Sequence, residues 1–223
     1  MRHLIAFATI AVWFCASTAP AASIFINEFD YDQGSPDTNE FIEIAGNAGA
    51  NLGGYVLELW NGANNTAYQT IVLPNYVFPN STGTGWGFFL LGRASLVPPA
   101  NYDFGVDNFI HDGAPDGIKL LDPSFNEIEF LSYEGTMLHS TDVGVQDNGP
   151  GSISKTGVTS GPNSGTWVLA PPTPGLLSGG QDLIPEPASL SMAVFLGAAL
   201  LRRHARVASI KRCEGSRFAR AGM

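Results

Sequence analysis

The sequence predicts an all-β domain built as a sandwich or barrel, and three observations carry that prediction. Short runs rich in β-branched and aromatic residues recur along the chain, and Gly, Pro, Asn and Asp fill the gaps between them. Within residues 23–184 no window of 11 or more residues keeps a helical apolar period without glycine or proline interrupting it. The stretch that holds these runs, residues 23–184, contains 23 glycines, 12 prolines and 19 aromatic residues among 162. That punctuation is dense, yet it stays below the ~25–30% that marks low complexity, and the aromatic residues suffice for a core.

Nine strands are expected in order, at 24–31, 40–45, 55–60, 68–73, 86–91, 118–121, 128–133, 152–155 and 167–170. Turns are expected at 32–36, Gly53-Gly54, Asn61-Gly62, Asp112-Gly113, Asp116-Gly117 and 148–151. The run 55–60 alternates cleanly, with Tyr55, Leu57 and Leu59 on one face and Val56, Glu58 and Trp60 on the other. The run 40–44 is less clean, since Phe41 shares a face with Glu43. Several short strands with frequent turns suit a sandwich or barrel.

Charge is unevenly spread. The whole chain of 223 residues carries −9, but residues 23–184 hold 18 acids against three bases, Arg93, Lys119 and Lys155, for −15. Residues 202–223 carry +6. An acidic body excludes a nucleic-acid binder, which needs a basic footprint. Neither cysteine lies in the body, Cys15 falling near the start and Cys213 in the basic tail, so no internal disulfide can form there. Exposed acids on such a sheet domain are expected to be solvated and to keep strand edges from pairing.

The two ends look like addresses. Met1-Arg2-His3, an apolar run from Leu4 to Phe14 and the small residues 16–22, with Ala19-Pro20-Ala21, predict a signal peptide over 1–21 and export. At the other end Pro185-Glu186-Pro187 precedes an apolar run over 188–201 and then Arg202-Arg203. Fourteen helical residues span about 21 Å, short of a ~30 Å hydrocarbon core, so length alone also allows a buried helix. The flanking prolines and the basic cluster favour a short transmembrane helix with its tail, 204–223, on the cytoplasmic side.

Those three C-terminal parts, in that order, resemble the PEP-CTERM sorting signal of bacterial exported proteins. The resemblance implies that Pro185, Glu186, Pro187, Arg202 and Arg203 form a sorting motif within 183–203. Its expected partner is a membrane protease-transpeptidase of exosortase type, acting on a protein held in the membrane by residues 188–201. Twenty residues follow Arg203, more than the family usually carries there.

The body, 22–182, has a resemblance of its own. Ile26-Asn27-Glu28-Phe29 followed by 39–44 (Asn-Glu-Phe-Ile-Glu-Ile) is similar to the opening of a lamin-tail domain. Later landmarks match the bacterial extracellular branch: 52–55, 59–62, 113–123, 130–135, 151–154, Trp167, 173–175 and Gly180-Gln181. The resemblance implies an immunoglobulin-like β-sandwich. Members of that family also occur beside extracellular nuclease domains, but no chain length remains here for one.

Chemistry-bearing patterns are sparse. His111 precedes Asp112 and His139 precedes Ser140, so a Ser/His/Asp reading can be written, but no G-x-S-x-G elbow exists and strand neighbours point to opposite faces. A zinc site lacks clustered ligands. The glycine-rich run 83–87 lacks the spacing of a phosphate-binding loop and reads as a hairpin. Asp30, Asp32 and Asp37, with Glu40 nearby, offer oxygen ligands for a structural calcium ion, without a full EF-hand loop. The pair Asp142 and Asp147 is a weaker second candidate. No other cofactor and no catalytic residue is expected.

The function these features predict is a noncatalytic cell-surface or extracellular-matrix module. It would be exported, sorted through its C-terminal segment, and engaged in adhesion or binding within the envelope or exopolysaccharide. The alternative is an accessory or divergent secreted hydrolase of the nuclease-associated kind.

Overall fold

A computed structural model describes residues 23–34 and 38–184 of the chain. The described residues form one compact unit. The signal peptide, Asp37, the sorting motif with its anchor, and the basic tail lie outside the described residues.

The described residues contain twelve strands and no helix: β1 (Ile24–Asp30), β2 (Phe41–Asn47), β3 (Val56–Asn61), β4 (Thr66–Val72), β5 (Trp86–Gly92), β6 (Tyr102–Asp103), β7 (Asp116–Leu121), β8 (Glu127–Tyr133), β9 (Thr141–Asp142), β10 (Ser152–Thr159), β11 (Thr166–Ala170) and β12 (Gln181–Leu183). One sheet has seven strands, ordered β11-β10-β1-β2-β5-β6 with β12 beside β10; the other has five, ordered β4-β3-β7-β8-β9. The two sheets close on one core, to which Ile26, Phe29, Ile42 and Phe89 come from the first and Leu57, Leu59, Ile118 and Tyr133 from the second. The domain is therefore an all-β, two-sheet sandwich. Leu57 and Leu59 are buried as the alternation of 55–60 predicts.

A bulge in β1 sets which side chains enter that core. Ile26 pairs with Ile44 and Glu28 with Glu43, which leaves Asn27 unpaired. Strict alternation from Ile24 and Ile26 would send Glu28 inward; the extra residue inverts the parity and delivers Phe29 instead. Phe29, Tyr31, Tyr133 and Trp167 then pack as an aromatic group, Tyr31 and Tyr133 stacking at 4.2 Å between ring centres.

All nine expected strands are present, and three short ones were not foreseen. β6, β9 and β12 each pair parallel to a strand already in the sheet. Two or three residues carry no readable period, and their pairing comes from the path of the preceding loop. One expected turn is a strand: Asp116 and Gly117 begin β7, opposite Tyr133 and Ser132. Gly117 is there because a Cβ would stand 2.8 Å from the Leu131 carbonyl oxygen, a demand for close packing and not for a bend.

The outer face of the seven-stranded sheet is also covered. Phe25, Ala45, Trp86 and Phe88 pack with Leu183 and Leu177, and Phe41 packs with Leu90 and Leu96. Leu183 and Ile184, placed by sequence in the sorting segment, belong structurally to the sandwich, Ile184 N donating to the Thr159 carbonyl at 3.0 Å. No helix among the described residues is long and apolar enough to cross a membrane.

Candidate functional site

Seven of the acids in this domain are not part of a solvated coat. Glu28, Asp30, Glu40, Glu43, Asp116, Glu129 and Asp147 are all buried. Five of them accept hydrogen bonds from backbone N–H groups that no strand pairs. Glu40 takes Phe109 N at 2.5 Å and Ile110 N at 3.2 Å. Asp116 takes Gly62 N and Gly113 N, both at 3.0 Å, closing two loops. Burial still raises the Asp116 carboxyl above its ordinary range against those two bonds. Among the described residues, which contain no helix, carboxylates satisfy loop donors that strand pairing does not reach, Gly62 N being shared with the Pro115 carbonyl at 2.9 Å.

Glu28 and Glu43 do this together on the outer face of β1 and β2. Glu28 accepts from Ser152 Oγ (2.6 Å), Thr173 N (2.7 Å) and Thr173 Oγ1 (2.7 Å). Glu43 accepts from Asn27 Nδ2 (2.9 Å) and Gly175 N (2.5 Å). Asn27, freed by the bulge, in turn accepts from Gln181 Nε2 at 2.6 Å. The segment from Thr173 to Gln181 is thereby strapped across the sheet. Burial, reinforced by the neighbouring Glu28, pushes the Glu43 carboxyl well above the usual carboxylate range.

The histidines do not assemble a triad among the described residues. The His111 ring stacks on Tyr68 at 3.7 Å, and its backbone N–H and carbonyl are engaged by the Tyr68 and Tyr133 hydroxyls. Ser140 Oγ donates to the Met137 carbonyl at 3.0 Å, which occupies the hydroxyl beside His139. Of the calcium candidates, Asp30 is buried at the end of β1, Asp32 is half-buried, and Asp37 lies outside the described residues. Asp147 is buried, and Asp142 Oδ1 accepts from Gly144 N at 2.9 Å within its own turn. No group of three or more His, Cys, Asp or Glu among the described residues is placed to hold a metal.

The arrangement with open chemistry lies elsewhere, in a polar cleft of about 450 Å³ between β8 and the β10–β11 hairpin. Glu129, Lys155, His139, Thr141, Asn163 and Trp167 line it. Glu129 reaches across from the five-stranded sheet, and its Oε1 accepts the Ile26 N–H beside the bulge. Its Oε2 is buried and has no partner. Burial pushes the Glu129 carboxyl up to about 7, opposed by the Lys155 ammonium and the Ile26 bond. Lys155 is also buried, and its Nζ donates to the Pro162 carbonyl (2.5 Å) and the Ser164 carbonyl (3.2 Å), 4.8 Å from the Trp167 ring centre. Burial lowers the Lys155 ammonium, with Glu129 holding it up.

Sequence reasoning missed this cleft. Glu129 and Lys155 are 26 positions apart on strands of different sheets, so no local motif joins them. The one available signal was that Lys155 is one of only three basic residues in an acidic, aromatic-rich body. Comparison with known proteins returns no matching family model, curated protein or solved structure.

Proposed function

We propose that the chain is an exported, noncatalytic surface module: a lamin-tail-like, immunoglobulin-like sandwich, sorted through a PEP-CTERM segment and used for adhesion or binding in the envelope or exopolysaccharide. The observation that carries this reading is the employment of its carboxylates. Glu28, Glu40, Glu43 and Asp116 are committed to loop N–H groups, which gives them a structural task and leaves them unavailable to a substrate. The lamin-tail resemblance draws support from the meeting of its landmarks. Asn27, Glu28, Glu43, Ser152, Thr173, Gly175 and Gln181, scattered through the sequence, form one hydrogen-bonded cluster.

Export and sorting are tested in cells of a host that carries the sorting protease. Replacing Pro185, Glu186 and Pro187 with alanine is expected to leave full-length protein in the membrane fraction, while the unaltered chain is processed. Identical processing of both would remove the sorting proposal.

A second reading, a divergent secreted hydrolase, is favoured by one observation. A carboxyl poised near 7 beside a buried amine has the character of a proton-transfer pair.

A further inference from the structure

We infer that the cleft between β8 and the β10–β11 hairpin is a binding site for a neutral sugar residue, held through vicinal hydroxyls by Glu129 and Lys155. The inference rests on the reading of the sandwich as a binding module and names the ligand class of its cleft.

Two complementary groups line the same space, both on buried side chains. Glu129 Oε2 is an acceptor, buried and without a partner, and a buried carboxylate oxygen in a folded protein calls for a donor. Lys155 Nζ has three protons, two of them given to the Pro162 and Ser164 carbonyls, so one donor remains. A hydroxyl can donate to the first and a neighbouring hydroxyl can accept from the second. A diol matches both without adding charge.

Charge then selects among polyhydroxylated ligands. Above pH 7, where Glu129 is ionised, one anion and one cation balance in the cleft, and the rim carboxylate Glu127 is engaged by Lys119 at 3.6 Å. An added carboxylate or ammonium would break that balance in a poorly solvated place. Anionic polymers also face the −15 of residues 23–184. The volume, about 450 Å³, lies within the ~300–1,000 Å³ range of small-molecule sites. Half-buried Trp167 and buried Phe130 supply apolar wall, and Asn163 and Thr141 supply further hydrogen-bonding groups.

The test is saturation-transfer and chemical-shift NMR on the full chain in detergent, with methyl glucopyranoside, methyl mannopyranoside, glucuronate and glucosamine as separate probes. Neutral glycosides are expected to bind and to shift the Trp167 indole signal, with both charged sugars weaker. Glu129→Gln is expected to weaken binding about 10–100-fold. Because that change touches a buried group, Asn163→Trp is the second variant: Asn163 is exposed at the rim, so the bulk fills the mouth without disturbing the core. It is expected to abolish binding at an unchanged melting temperature. Binding that survives Asn163→Trp, tighter binding of glucuronate, or no binding of any probe overturns the inference. Retention of the same protein on polysaccharide in those cases would leave the module reading standing, and loss of retention as well would remove both.

Discussion

Glu28→Ala is expected to lower the stability of the domain by roughly 3–5 kcal/mol, read from denaturant unfolding followed by tryptophan fluorescence. The carboxylate holds three donors, Ser152 Oγ, Thr173 N and Thr173 Oγ1. Truncation leaves the buried ones unsatisfied and opens space beneath the strap. Ser152 retains a fallback contact to Ser154 Oγ at 3.2 Å, and removing one acid relieves repulsion at Glu43, so the loss stays below the sum of three charged hydrogen bonds. Glu28→Gln keeps the shape and one acceptor, and a smaller loss of about 1–2 kcal/mol is expected. The strap itself supplies the diagnostic. Amide exchange at Thr173 and Gly175 should accelerate in Glu28→Ala well beyond the change at β3 or β7. Uniform acceleration, or none, would mean that Glu28 does not hold the strap.

Stability is also expected to fall as pH rises from about 5 to 8, the reverse of the usual carboxylate pattern. The Glu129 carboxyl stands at about 7 in the fold against an ordinary 4.5, so the folded state holds the proton more tightly than the unfolded chain. That contribution is complete below about 4.5 and is lost as pH passes through 7. A shift of that size corresponds to about 3 kcal/mol, or roughly 10 °C in melting temperature for a domain of this length. Glu43, Asp116 and Glu134 are raised by burial and act in the same direction. Asp103 is lowered, chiefly by the Gly105 N–H, and Asp122, chiefly by the Asn126 side chain; both titrate at lower pH and do not offset the slope in this window. Melting curves at pH 5 and pH 8, at matched ionic strength, measure it. Glu129→Gln should flatten the difference. A melting temperature that is level or rises across this range would show that these carboxyls are not buried as described.

The fold was legible wherever a strand was long enough to show its period. β3 and β5 were clear from alternation or from a continuous apolar run bounded by glycine. The bulge at Asn27 was not, because a parity change looks the same as a polar residue in an otherwise regular strand. Phe41 sharing a face with Glu43 seemed a flaw in the second strand, and it is explained by the covered outer face. Phe41 meets Leu90 and Leu96 there, while Glu43 receives Asn27 and Gly175. Long-range capping of this kind has no sequence period. The partners of Glu28 lie up to 145 positions away, and composition alone makes every acid look like a surface charge. The cleft was hidden for the same reason, since Glu129 and Lys155 meet only through the stacking of two sheets.

The opposition between binding and hydrolysis is decided by what happens to a polymer in contact with the protein. The full chain, solubilised in detergent, is incubated with insoluble neutral polysaccharide, with and without calcium. Bound protein is measured in the pellet and released sugar in the supernatant. The account predicts protein retained on an intact polymer, with no soluble fragments. Fragments accumulating with time, or protein that stays entirely in the supernatant, would contradict it.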